Sequence, residues 1–125
     1  AGNERSVGEV ARLFANAGVV AILPIINPFA ADRARVRVAH EGAGLAFVEV
    51  HVAASLAECE RRDTKGMYGK VRRGEMSGLS GADAPYEAPT SPDVVVARDG
   101  ESVTESVRRV LEHLGQLGVL GTADH

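Results

Sequence analysis

The class of fold is predicted from the stretch Phe47-Val48-Glu49-Val50-His51-Val52-Ala53-Ala54-Ser55, in which a strand pattern is followed by the start of a helix. Residues 47–52 are rich in β-branched and aromatic side chains, which predicts a strand. Ser55 is followed three residues later by Glu58, a capping-box pattern, so we predict a helix over residues 55–62. A strand that leads directly into a helix is the repeating unit of layered α/β folds.

The same alternation extends in both directions along the chain. In order, it predicts a helix over residues 7–14 that Gly18 ends, a buried strand at 19–23, a helix from Asn27 to about His40, a strand at 93–97 and a helix that opens at Ser102. We expect Asn27 to cap its helix, with Pro28 in the first turn. Strands that alternate with helices indicate a mostly parallel sheet, whose ligands lie beyond the carboxyl ends of the strands.

Residues 65–92 differ from the rest of the chain. They are rich in glycine and proline and show little apolar periodicity apart from a short predicted helix over 65–73. Long irregular segments of this kind are usually functional lids or disordered. Six basic residues lie at or just before this segment, within residues 61–73, and they form either a solvated helix face or an anion site. They are Arg61, Arg62, Lys65, Lys70, Arg72 and Arg73.

Composition limits the range of functions. A chain of 125 residues predicts one domain, and a net charge of −3 argues against nucleic-acid or anionic membrane partners. The single cysteine fits a reducing compartment, and there is neither a signal-peptide pattern nor a membrane-length apolar run, so a cytoplasmic location is predicted. The phosphate-binding pattern G-x-x-x-x-G-K-[ST] does not occur, and the four histidines have no metal-ligand spacing, so no metal ligand is assigned.

Six fragments occur in the order in which adenylylsulfate (APS) kinases carry similar ones, and the chain therefore resembles that family along essentially its whole length. The fragments are Asn3-Glu4-Arg5-Ser6-Val7-Gly8-Glu9-Val10-Ala11, Ile26-Asn27-Pro28, Phe47-Val48-Glu49-Val50, Cys59-Glu60-Arg61-Arg62-Asp63, Lys65-Gly66-Met67-Tyr68-Gly69-Lys70-Val71-Arg72 and Gly81-Ala82-Asp83-Ala84-Pro85-Tyr86-Glu87-Ala88-Pro89.

The resemblance implies a three-layer, P-loop kinase-like α/β fold with a mostly parallel sheet. Residues 1–125 would form a single domain corresponding to the family's C-terminal two-thirds, with 65–92 as its lid. The first two strands and the P-loop would lie outside the chain, which would leave two apolar strands without a neighbour. The implied reaction transfers the γ-phosphoryl group of ATP to the 3′-hydroxyl of adenylylsulfate, with Mg²⁺, and yields PAPS. A homodimer and a fused or associated ATP sulfurylase are the implied protein partners.

The resemblance also implies roles for individual residues. Lys65 and Lys70 would be catalytic and hold anionic groups, Asn27 would stand at the family's serine position among the catalytic residues, and Arg62 would lie near ATP. The implied adenylylsulfate-binding set is Asn3, Arg5, Ile26, Asn27, Lys65, Gly78 and Leu79.

Three departures from the family pattern leave an alternative open. Leu79 stands where the family usually has a phenylalanine that stacks on the substrate adenine, Asn27 replaces the serine, and Ala53 stands where an aspartate is common. These changes fit a non-catalytic relative that acts as a nucleotide-binding or interaction module.

Overall fold

The structure, a computed structural model, describes residues 2–63, 65–78 and 84–120, with the backbone alone for residues 2–4. The chain divides into two compact units, Ala1–Phe47 and Val48–His125, called unit 1 and unit 2 below. In the part of the chain that the structure describes, no helix is long and apolar enough to cross a membrane.

Unit 1 is built on two helices, α1 (Gly2–Asn16) and α2 (Ala30–Gly42), which pack on each other. Ala11 of α1 is buried. Gly8 is where the helices approach closely, since a Cβ atom there would lie 3.0 Å from Cγ2 of Val36. Gly18 follows α1 with a φ of 86°, a left-handed conformation that glycine adopts without strain, and it ends the helix as predicted.

The end of α2 is fixed by His40, which is buried. Its Nδ1 atom lies 2.9 Å from the carbonyl oxygen of Val36. Its ring meets Phe47 edge-on at a centroid distance of 5.2 Å, and the guanidinium carbon of Arg37 lies 4.7 Å from the Phe47 ring centroid. These contacts hold the last turn of α2 against the end of unit 1.

The prediction that Asn27 caps α2 is wrong. The N-cap is Phe29, whose side chain makes no capping hydrogen bond, and the helix begins at Ala30. Asn27 instead has a φ of 43°, and its carbonyl oxygen accepts a hydrogen bond of 2.8 Å from Nη1 of Arg33. Asparagine tolerates the left-handed region better than most residues, so its sequence signal fits a tight turn as well as a cap.

The predicted buried strand at residues 19–23 is not formed. These residues carry no strand pairing, and Ile22 is 82% exposed. A strand requires a partner for its backbone donors and acceptors, and within residues 2–63, 65–78 and 84–120 no segment pairs with this one. The apolar composition alone therefore did not determine a strand.

Unit 2 contains the parallel sheet that the sequence predicts. Strands β1 (Val50–Val52) and β2 (Val94–Val96) pair in parallel, with Val50 opposite Val94 and Val52 opposite Val96. Val94 and Val96 are buried, and β2 contacts α5 (Val103–Gln116). Both strands are shorter than the predicted 47–52 and 93–97. The α/β fold class is confirmed.

Two further helices, α3 (Leu56–Arg61) and α4 (Met67–Arg72), follow β1. Ser55 caps α3, where its Oγ accepts a hydrogen bond from the Glu58 amide. The predicted capping box of α3 is not completed, because the Ser55 amide donates to Oδ1 of Asp99 and the Glu58 carboxylate accepts from arginines instead. Ser102 and Glu105 form the predicted capping box of α5, with reciprocal side-chain to backbone hydrogen bonds. These signals act within four residues, which is why the sequence locates them well.

Candidate functional site

Helix α4 lies in the segment that the sequence predicts to be a lid, and two residues determine where the helix starts. Gly66, the N-cap, has a φ of 66°, so it needs the freedom of glycine and has no side chain with which to cap. Asp63 does the capping: its Oδ2 accepts a hydrogen bond of 2.9 Å from the Tyr68 amide in the first turn. The spacing of Asp63 and Gly66 therefore fixes how the chain turns from α3 into α4.

Side chains also join α3 to α4. Nη1 of Arg72 lies 2.7 Å from Oε2 of Glu60. Burial raises the pKa of the Tyr68 hydroxyl, and the neighbouring Cys59, Asp63 and Glu60 raise it further, so Tyr68 is neutral at physiological pH. Cys59 is half-buried beside it, consistent with a packing role for the single thiol.

The six cations of residues 61–73 fall into two groups. The four arginines are paired with carboxylates: Arg61 and Arg62 with Glu58, Arg72 with Glu60, and Arg73 with Glu75. The two lysines, Lys65 and Lys70, make no ion pair with any described residue. Exposed arginine–carboxylate ion pairs are typical of a solvated helix face. The ammonium groups of the two lysines have no such partner and are available to bind an anion.

Glu58 accepts hydrogen bonds from two neighbouring arginines. Hydrogen bonds from Arg61, and secondarily from Arg62, lower its pKa to about 2, so it stays ionised at any physiological pH. Arg61 donates to both carboxylate oxygens, through Nε and Nη2. Arg62 donates through Nε alone, at 2.6 Å from Oε1.

In unit 1, Arg5 lines a small concavity of about 160 Å³ between α1 and α2. Glu9 and Asp32 also line it, and each has its own arginine: Arg12 for Glu9 at 2.9 Å and Arg35 for Asp32 at 3.3 Å. Arg5 makes no ion pair with any residue that the structure describes. Its charge is therefore the uncompensated one at this concavity.

The turn at Asn27 holds an unsatisfied acceptor. Oδ1 of Asn27 is buried and has no hydrogen-bond partner among the described residues. Such atoms are uncommon in folded proteins, because an unpaired buried acceptor has lost its hydration without replacement. Ile26, next to it, is 59% exposed. The turn therefore places a buried acceptor, for which no described residue is a donor, next to an apolar side chain that is exposed.

The predicted site residues are distributed over both units. Arg5, Ile26 and Asn27 belong to unit 1, where Arg5 lies on α1 and the other two lie in the turn before α2. Unit 2 contains the others that the structure describes, namely Arg62, Lys65, Lys70 and Gly78, the last with a φ of 82°. The side chain of Asn3 and all of Leu79 lie outside the described residues.

The sequence analysis did not predict the side-chain pairing of three residues near the candidate site residues, although it named Glu58 for capping. Glu58 could have been found from its i, i+4 spacing to Arg62 on a predicted helix. Arg33, which holds the Asn27 carbonyl, and Glu60, which holds Arg72 from 12 residues away, have no local signal that reveals their partners.

Comparison with known proteins identifies the family to which this chain belongs. A sequence profile of the family described as "Adenylylsulphate kinase" matches residues 1–97. The adenylyl-sulfate kinase of Lactiplantibacillus plantarum is 45% identical over 114 residues, or 91% of this chain and 54% of that protein. The adenylyl-sulfate kinase of Myxococcus xanthus is 46% identical over 121 residues, or 97% of this chain and 65% of that protein.

Solved structures agree with the sequence matches. The Mycobacterium tuberculosis APS kinase CysC, solved in complex with AMPPNP and APS, has a TM-score of 0.84 and 39% identity, over 90% of this chain and 65% of that one. The fold is accordingly that of the P-loop kinases. The chain belongs to the adenylylsulfate kinase family, as the sequence motifs indicated. It spans between about half and two-thirds of the length of the curated relatives described here.

Proposed function

We propose that this chain is the lid-bearing, adenylylsulfate-binding part of an adenylylsulfate kinase. Such an enzyme transfers the γ-phosphoryl group of ATP to the 3′-hydroxyl of adenylylsulfate and releases PAPS and ADP. The observation that carries the proposal is the similarity over 90% of the chain, at a TM-score of 0.84, to an APS kinase whose structure contains both AMPPNP and APS.

The lid lysines are assigned the electrostatic part of the reaction. Phosphoryl transfer depends mainly on positioning and on stabilising negative charge. Lys65 and Lys70 are suited to this task because, among the described residues, no carboxylate neutralises them. The proposal gives both lysines contacts with the anionic groups of the reactants.

Unit 1 is assigned contacts with adenylylsulfate. Arg5 supplies a cation without an ion-pair partner in the described part of the chain, and the family resemblance assigns Asn27, in the turn before α2, to the same ligand. Ile26 offers exposed apolar surface to the same ligand. The family resemblance adds Asn3, Gly78 and Leu79 to this proposed set.

ATP is the proposed phosphoryl donor, with Arg62 beside it. The P-loop pattern does not occur in the 125 residues. We therefore propose that residues other than these bind the ATP phosphates. Mg²⁺ usually retains several waters and is bound by one or two protein carboxylates together with the substrate phosphates. Within the described residues no cluster of three or more His, Cys, Asp or Glu fits a metal ion, and we assign no residue to Mg²⁺.

The protein partners, a homodimer and an associated ATP sulfurylase, are proposed from the family resemblance alone.

A second candidate function is supported by the Asn27 turn. Asparagine there provides no hydroxyl, unlike the family serine, and its left-handed conformation is held by Arg33. A non-catalytic relative would bind adenylylsulfate without forming PAPS. The test is a coupled PAPS-forming assay on the longest natural product that contains this chain.

The decisive variants are Lys65→Ala and Lys70→Ala. Loss of a cation that stabilises transferred charge typically lowers kcat by about 10²-fold. Arg73→Ala is the matched control, since it removes a cation of the same cluster that Glu75 already pairs. PAPS formation that falls in both lysine variants but not in the control supports the kinase. No PAPS formation by the unmodified protein, with adenylylsulfate still bound, favours the non-catalytic relative.

A further inference from the structure

Arg61 and Arg62 share one carboxylate, that of Glu58, but they use it differently. Arg61 engages both oxygens with its Nε and Nη2 atoms, so one whole donor edge is occupied. Arg62 uses only Nε, and its Nη1 and Nη2 atoms have no hydrogen-bond partner in the described part of the chain. Its side chain is also 45% exposed. Arg62 is therefore anchored through Nε, whereas its outer donors are unpaired among the described residues and nearly half of its side chain is exposed.

From this geometry we infer that Glu58 is a positioning residue, which fixes the Arg62 guanidinium in the orientation in which it contacts an adenine nucleotide. The inference deepens the proposed function and rests on its assignment of Arg62 to ATP. A guanidinium can stack on a base or donate to phosphate through its outer nitrogens. Neither contact requires the Nε bond to Glu58 to break.

The net charge around Glu58 is compatible with a role in orienting Arg62 for a negatively charged nucleotide. A lone carboxylate beside a nucleotide would repel its phosphates. Here Arg61 pairs with the same carboxylate, so the group of three side chains carries a net charge of +1 at neutral pH. The remaining positive charge is the one that Arg62 presents.

The expected size of the effect follows from side-chain ordering. A free arginine loses rotamer freedom when a ligand immobilises it, and each such side chain weakens binding by about two- to tenfold. Glu58 lowers this entropy cost before the nucleotide binds, because its hydrogen bond to Nε already restricts the rotamers of Arg62, four residues along the chain. Loss of Glu58 should therefore weaken nucleotide binding by that factor without altering the Arg62 contacts themselves.

The test measures AMPPNP affinity by isothermal titration calorimetry in the longest natural product that contains this chain. Four variants are compared: Glu58→Ala, Glu58→Gln, Arg62→Ala and the double variant Glu58→Ala/Arg62→Ala. We expect Glu58→Ala to weaken AMPPNP binding about two- to tenfold. Glu58→Gln should fall between it and the unmodified protein, because its amide oxygen still accepts one hydrogen bond. In the Arg62→Ala background, Glu58→Ala should have no further effect.

Two additional readouts separate positioning from a general structural role. Glu75→Ala removes a carboxylate from Arg73 in the same basic segment and should leave AMPPNP affinity unchanged. In steady-state kinetics Glu58→Ala should raise the KM for ATP, whereas kcat and the KM for adenylylsulfate stay constant. A merely structural residue would alter all three parameters.

The outcomes distinguish this inference from the proposed function. Unchanged or tighter AMPPNP binding in Glu58→Ala, combined with weaker binding in Arg62→Ala, overturns the role of Glu58 and leaves Arg62 at the nucleotide. An Arg62→Ala variant that binds AMPPNP as well as the unmodified protein overturns both the assignment of Arg62 and the inference built on it. A loss in Glu58→Ala that persists in the Arg62→Ala background also overturns the inference, because it shows that Glu58 acts independently of Arg62.

Discussion

Replacing Arg33 with alanine tests whether the Asn27 turn is held in shape for a ligand. Nη1 of Arg33 donates a hydrogen bond of 2.8 Å to the Asn27 carbonyl, and Asn27 has a φ of 43°. A left-handed conformation costs about 1–2 kcal/mol for most residues, and about 1 kcal/mol or less for asparagine, which tolerates it better. Without Arg33 the turn relaxes, and a ligand that requires the observed conformation must restore it.

The structure thus gives a magnitude for the Arg33→Ala variant. A cost of about 1 kcal/mol or less corresponds to adenylylsulfate affinity weakened by up to about fivefold. Arg33→Lys should lie between, because lysine keeps a charged donor but lacks the planar fork of arginine. Equilibrium binding of adenylylsulfate measures the affinity, and urea unfolding checks that the variants are folded at the assay temperature.

Arg12→Ala is the matched control for Arg33→Ala. It removes an arginine whose ion pair with Glu9 lies within α1, and it should leave adenylylsulfate affinity within about twofold of the unmodified protein. Unchanged adenylylsulfate affinity in folded Arg33→Ala protein would contradict the role of Arg33 in holding the Asn27 turn. An Arg12→Ala variant that weakens binding as much as Arg33→Ala would contradict it equally.

The remaining predictions concern stability. Ser102→Ala removes the side chain that accepts from the Glu105 amide at 3.1 Å, and it should lower the free energy of unfolding by about 1 kcal/mol in urea titrations. Ser102→Gly should lower it by less, and an unchanged unfolding midpoint in Ser102→Ala would contradict the capping assignment. Glu58 has a pKa of about 2 in the folded protein against an ordinary value of 4.5, so its stabilisation is complete above pH 4.5 and is lost as the pH falls toward 2. The stability difference between the unmodified protein and Glu58→Gln should shrink over that interval, and a difference that is independent of pH would contradict the pairing.

The sequence predicted best those features that depend on neighbouring residues. Ser55 and Ser102 each cap the helix that follows, because the capping hydrogen bond spans only three residues. The parallel pairing of β1 with β2 also followed, since alternating strands and helices favour parallel sheets. Strand ends were less well determined, and β1 and β2 each span three residues.

Features that depend on distant residues were predicted poorly. The apolar residues 19–23 have strand composition, but strand formation depends on a partner that composition does not reveal. Asn27 has two common uses, cap and left-handed turn, and the contact with Arg33 shows which one applies. Among the six basic residues of 61–73, the family resemblance identified Lys65 and Lys70 as candidate site residues. The pairing of Arg72 with Glu60 could not be predicted, because it depends on how α3 and α4 pack.

Formation of PAPS from ATP and adenylylsulfate by the longest natural product that contains this chain tests the central claim most directly. We predict turnover that falls about 10²-fold in Lys70→Ala and stays unchanged in Arg73→Ala. Absence of PAPS in the unmodified protein, at concentrations where calorimetry shows adenylylsulfate to be bound, would contradict the kinase assignment.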